Sequence, residues 1–157
     1  MLLGWRRYVA MLAAAFLAAA TPAGAQSAAP AAIAAYRIAG DAIAEPLDGR
    51  KGDAARGRTI VLDRSSGNCL ICHRAPEPAE RFMGEIGPDL TGVGTRLTAG
   101  QIRLRLVDQS RLNPATLMPP YYRIDGLNRV AGRYQGKPVL DAQQMEDVIS
   151  YLVSLKS

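Results

Sequence analysis

Along residues 141–155 the apolar positions fall at helical spacing. Met145, Val148, Ile149 and Leu152 form one stripe. Asp141 and Gln144 stand at the cap positions, Glu146 and Asp147 lie toward the positive end, and Lys156 lies at the negative end. A second helix is predicted over 98–109, where Thr98 and Gln101 spell a capping box and Ile102 and Leu106 share a face. A third is predicted over 53–62, with Asp53 as N-cap and Ile60 and Val61 as inward anchors. Gly57 interrupts it at a cost of about 1 kcal/mol relative to alanine, which predicts a close helix crossing at that point. Loops punctuated by Gly and Pro separate these segments. No alternation is long enough for a sheet and no internal repeat is visible, so the fold class is all-α.

The N-terminus carries a different pattern. Arg6 and Arg7 precede an apolar run of 13 residues, from Tyr8 to Ala20, and Ala23-Gly24-Ala25 follows as an A-x-A site. That is the pattern of a cleavable signal peptide over residues 1–25. The run is short for a membrane span, which needs about 20 residues. Its expected destination is the bacterial periplasm. Residues 26–52 read as a leader and an extended N-terminal arm, laid on the domain or on a partner, and the compact domain as 53–157. The full chain carries 19 Lys and Arg against 14 Asp and Glu. Loss of Arg6 and Arg7 with the signal leaves 17 against 14, or +3. So mild and unclustered a charge excludes a nucleic-acid footprint.

The chemistry concentrates at Cys69-Leu70-Ile71-Cys72-His73. These are the only two cysteines and the only histidine of the 157 residues. A structural zinc site wants four protein ligands, and no other Cys or His exists to complete one. A dithiol redox site favours a βαβ context that the sequence lacks. A plain disulfide requires neither the two-residue gap nor the histidine. C-x-x-C-H is the spelling of covalent haem c attachment: Cys69 and Cys72 bind the porphyrin edge and His73 is the proximal iron ligand.

The sixth iron position has several candidates: methionine, lysine, a rarer ligand, or none. A second histidine within the chain is excluded. Met145 belongs to the stripe of the C-terminal helix. Met83 lies ten residues past His73, on a stretch that turns along the proximal side. Met118 sits in Asn113-Pro114-Ala115-Thr116-Leu117-Met118-Pro119-Pro120, where prolines stiffen the chain. The pattern favours Met118 as distal ligand, against a methionine that only fills the haem pocket. His/Met ligation raises the potential and suits outer-sphere electron transfer. No catalytic constellation accompanies it. Tyr121, Tyr122 and Arg123 can be read as propionate partners or as packing.

The C-x-x-C-H motif, the helix before it, Gly87-Pro88-Asp89-Leu90 and the late methionine together resemble class I c-type cytochromes. That resemblance implies a haem-wrapped helical domain in which the Pro88 carbonyl orients His73 and Gly57 packs near Tyr151. Residues 36–156 are more closely similar to the SoxX family, the monohaem subunits of the thiosulfate-oxidising Sox system. The N-terminal arm and the run from Leu112 to Tyr122 carry the specific likeness. It implies Cys69 and Cys72 as haem attachment sites, His73 as proximal and Met118 as distal ligand. It also implies a SoxA-like cytochrome partner, a SoxY-type sulfur carrier reached through the complex, and a small acceptor cytochrome c. The expected activity is electron transfer within an L-cysteine S-thiosulfotransferase (thiosulfate oxidation), as a subunit and not an enzyme alone. The alternatives are a freestanding periplasmic electron shuttle and, with an open iron, a haem sensor or peroxidase.

Overall fold

The computed structural model describes residues 33–156. The expected signal peptide lies outside them. Four α-helices follow in order: α1 (Ala54–Leu62), α2 (Val93–Arg96), α3 (Ala99–Asp108) and α4 (Ala142–Ser154). Short 3₁₀ turns stand at Leu47–Gly49, Cys69–Ile71, Gln109–Arg111 and Gly132–Tyr134. Among the described residues the one β pairing is an isolated bridge between Ala39 and Ala42. No helix among them is long and apolar enough to cross a membrane. The described residues are all-α, as expected.

Local signals set the helix starts. Asp53 caps α1 by accepting from the Arg56 N–H at 2.8 Å. Capping boxes open both α3, through Thr98 and Gln101, and α4, through Asp141 and Gln144. The short α2 after Gly92 is an addition to the three predicted helices. Four residues are too few for a periodic signal, so the hydrophobic pattern could not announce it.

The core forms where α1 crosses α4. Val61 of α1 meets a layer of Met145, Val148, Ile149 and Leu152, and α3 adds Ile102, Leu104, Leu106 and Val107. Ile60, expected to point inward with Val61, is half-buried. The crossing is as close as Gly57 predicts: a Cβ there would lie 1.9 Å from the Asp147 carbonyl oxygen. The contact point is Asp147, one turn before the expected Tyr151.

Two acids on α4 have roles that helix-dipole reasoning did not give them. Glu146 and Asp147 are 3% and 2% exposed. Glu146 takes a bidentate pair from the buried Arg103 of α3, at 2.7 Å on each oxygen. It also accepts the Leu47 N–H at 2.9 Å, while Arg103 donates to the Ile43 carbonyl at 2.7 Å. Residues 43–47 are thereby tied to α3 and α4, with Ile43 and Leu47 fully buried. Asp147 binds Arg56 of α1 and accepts the Asp53 N–H at 2.8 Å.

Candidate functional site

α1 ends at Leu62, and the chain turns through a left-handed Asn68 into the 3₁₀ turn Cys69–Ile71. The turn is closed by N–H groups of Cys72 and His73, both donating to the Cys69 carbonyl. It sets the three motif side chains on one compact loop. Both cysteines are free thiols, Cys69 buried and Cys72 half-buried. Burial pushes the Cys69 thiol up to about 11, so the site favours a neutral sulfur.

His73 is fixed by two neighbours. Its Nδ1 lies 2.7 Å from the Pro88 carbonyl oxygen. A carbonyl only accepts, so Nδ1 carries the proton and Nε2 keeps the lone pair that a metal needs. Gly87 presses against the ring, and a Cβ there would fall 2.3 Å from Cε1. The segment bearing both residues is tied back to the motif. Gly84 N–H donates to the Leu70 carbonyl, Gly87 N–H to that of Cys72, and Leu90 N–H to that of Arg74. Around this loop, Arg74 pairs with Glu85 at 2.9 Å.

The three methionines among the described residues are separated by their surroundings. Met145 is fully buried in the helical core. Met83 is half-buried, and its sulfur accepts the N–H of Ala75, two residues past His73, at 3.2 Å. Met118 is half-buried against the core, and its N–H donates to Thr116 Oγ1 at 3.1 Å. Three residues further on, the Tyr121 hydroxyl donates to the Gly67 carbonyl at 2.8 Å, two residues before Cys69. The stretch that follows Met118 therefore lies against the cysteine motif. Tyr121 and Tyr122 are buried, and Arg123 pairs with Asp108 at 2.9 Å.

One cluster beside the motif carried no sequence signal. Glu77, buried, accepts from Arg58 of α1 on both oxygens and from the Tyr151 hydroxyl of α4 at 2.7 Å. The Arg58 hydrogen bonds, with help from Tyr151, outweigh the upward push of burial and hold its carboxyl below the ordinary value. Burial first, then Glu77, pushes the Tyr151 phenol up. The partners lie 19 and 74 residues away, beyond any local pattern.

The donor set fits haem c. Two unpaired thiols share a turn with an imidazole whose free nitrogen is Nε2, and nothing larger than glycine fits beside the ring. Ile71, Phe82, Ile86 and Leu117, the most exposed large apolar side chains among the described residues, flank the motif and Met118. Cavities of about 400 and 350 Å³ lie instead by the start of α4, lined by Tyr122, Asp141 and Gln144 among others, away from the motif.

No protein-family model matches the sequence, and no curated protein does. Among solved structures, the chain is similar to one in SoxXA from P. pantotrophus. The two share 34% identity over 78% of this chain and 95% of that one, with a TM-score of 0.72.

Proposed function

The chain belongs to the SoxX family of Sox-complex cytochromes, and from that premise we propose that it is the periplasmic monohaem subunit of a SoxAX-type L-cysteine S-thiosulfotransferase. The observation that carries this reading is 34% identity across 95% of a SoxXA chain. In the proposed assignment, Cys69 and Cys72 would hold the haem through thioethers, His73 would be the proximal ligand through Nε2, and Met118 would be the distal ligand. A haem so held supplies a one-electron ferric/ferrous couple.

The remaining steps belong to the protein. The Pro88 carbonyl holds the Nδ1 proton and raises the basicity of the coordinating nitrogen. Gly87 fixes the ring plane, and the proline-rich loop would supply the Met118 thioether as the second ligand. The sequence has no second histidine and no third cysteine, and the reading places the substrate chemistry on a SoxA-like partner. In the reaction proposed there, the outer sulfur of thiosulfate bonds to a cysteine sulfur of a SoxY-type carrier. The thiol proton goes to solvent. Two electrons leave, one at a time through this subunit, toward a small acceptor cytochrome c. Exposed apolar side chains around the motif support a surface covered in a complex.

Purification of the full-length chain, tagged at its C-terminus, from its native host growing on thiosulfate tests the reading. A second haem protein is expected at one to one, with haem reduction on adding thiosulfate and the carrier. Recovery of a haem-loaded chain alone would transfer the assignment to a freestanding electron shuttle.

A further inference from the structure

Met118 lies in a loop, residues 112–120, whose two ends meet on the last turn of α3. On the entry side, the N–H groups of Leu112 and Asn113 both donate to the Gln109 carbonyl at 3.0 Å. On the exit side, Tyr121 N–H donates to the Leu106 carbonyl at 3.0 Å and Tyr122 N–H to that of Val107 at 3.4 Å. Between the two ends sits Asp108, only 1% exposed.

The Asp108 carboxylate reaches both sides of this neck. From the entry side it accepts the Ser110 N–H at 3.1 Å and the Ser110 hydroxyl at 2.5 Å, and Arg111 Nε stands 3.3 Å away. From the exit side it accepts from Arg123 Nη1 at 2.9 Å. A helix-end cap accounts for the Ser110 bonds but not for Arg123, fifteen residues on. The backbone hydrogen bonds close each end separately, whereas the Asp108 carboxylate reaches both. Gln109 Oε1 and Arg123 Nε are buried there without a hydrogen-bond partner among the described residues, each a cost to closure. Opening the loop means drawing Arg123 away from a buried carboxylate, and separating such a pair is expensive.

We infer that Asp108 is a positioning residue for the sixth iron ligand: it clasps the neck of the Met118 loop, and so keeps the thioether in place and external ligands out. The inference rests on Met118 being that ligand. Asp108 acts through the loop and touches no reacting atom.

The test uses the full-length haem-loaded protein, reduced, with carbon monoxide as the probe. The CO binding rate is measured for the wild type, Asp108→Asn, Met118→Ala and the double variant. Slow binding is expected for the wild type and fast binding for Met118→Ala. Asp108→Asn should bind faster than the wild type by roughly ten- to a hundredfold, the worth of one charged hydrogen bond expressed as a rate. The double variant should bind no faster than Met118→Ala, because both changes act through one ligand. Glu146→Gln, destabilised elsewhere in the fold, should stay as slow as the wild type, which separates loop opening from general loss of stability. Should Asp108→Asn fail to fold, Arg123→Gln answers the same question by the same criterion. Wild-type CO kinetics in the clasp variant would overturn the inference while leaving Met118 in place. Unchanged kinetics in Met118→Ala would overturn the ligand assignment, and the clasp with it.

Discussion

His73 is held at two different atoms, and each can be tested by one substitution. Pro88 fixes the protonated nitrogen and Gly87 fixes the ring edge, with no room for a methyl group. Gly87→Ala must move either the ring or the loop, an overpacking cost of about 1–3 kcal/mol. The expected result is a lower unfolding midpoint together with a changed haem absorption spectrum. An unchanged spectrum would mean that the loop yields and the ring does not. Met83 supplies the contrast. Its sulfur is already engaged by the Ala75 N–H, so Met83→Leu should leave the iron's ligands, and hence the spectrum and midpoint potential, as they were. The loss should be confined to stability, at up to about 1 kcal/mol for one neutral hydrogen bond. A rise in CO binding by Met83→Leu would assign the thioether to the wrong methionine. Cys69, Cys72 and His73 stood out in the sequence because the motif is local, three chemical groups within five positions; the Pro88 contact was expected only from the resemblance, and the press of Gly87 on the ring carried no sequence signal.

At the scale of helices, legibility divides along the same line. Capping boxes and the apolar stripe of α4 are written within one or two turns, and the structure has them where the sequence puts them. The buried acids of α4 are not, because their partners Arg103 and Arg56 lie 43 and 91 residues away. On a helical wheel Glu146 is an ordinary polar position. In the fold it anchors two α-helices and the segment from Ile43 to Leu47. Glu146→Gln therefore leaves Arg103 buried without a countercharge, and the expected loss is about 3–5 kcal/mol. Chemical denaturation measures it. Limited proteolysis should show faster cleavage near Glu45, because the Leu47 N–H and Ile43 carbonyl are held by the same pair. Replacing both charges, as Arg103→Met with Glu146→Leu, should cost less than removing one. Equal losses for the single and double variants would mean that the pair is not what holds the segment. The crossing of α1 on α4 is tested separately. Gly57→Ala gains helix propensity but drives a Cβ into the Asp147 carbonyl, and net destabilisation is expected in the same experiment.

Across the whole molecule, two buried carboxylates link the haem motif, α1 and α4, and they set how the fold responds to acid. Glu77 lies below its ordinary 4.5 chiefly through its Arg58 hydrogen bonds. For Asp147 burial is the largest single influence and pushes upward. The hydrogen bonds from Arg56, the Asp53 N–H and Gln143 together outweigh it, and the carboxyl ends below its ordinary 3.8. A carboxyl whose folded value is depressed binds fewer protons folded than unfolded as pH falls. Its contribution is therefore complete above the unfolded value and is lost as pH drops through the folded one. The loss should begin below about pH 5 and continue as each folded value is passed. Neither arginine titrates in that range, so the slope belongs to the carboxylates. Urea unfolding of the haem-loaded protein between pH 3 and 7 should show stability falling toward acid. Glu77→Gln and Asp147→Asn should each start lower at pH 7 and fall less steeply. If the variants ran parallel to the wild type across that range, these two groups would not govern the acid limb. Such a result would place the acid sensitivity outside the contacts that bind the two helices to the haem-bearing loop.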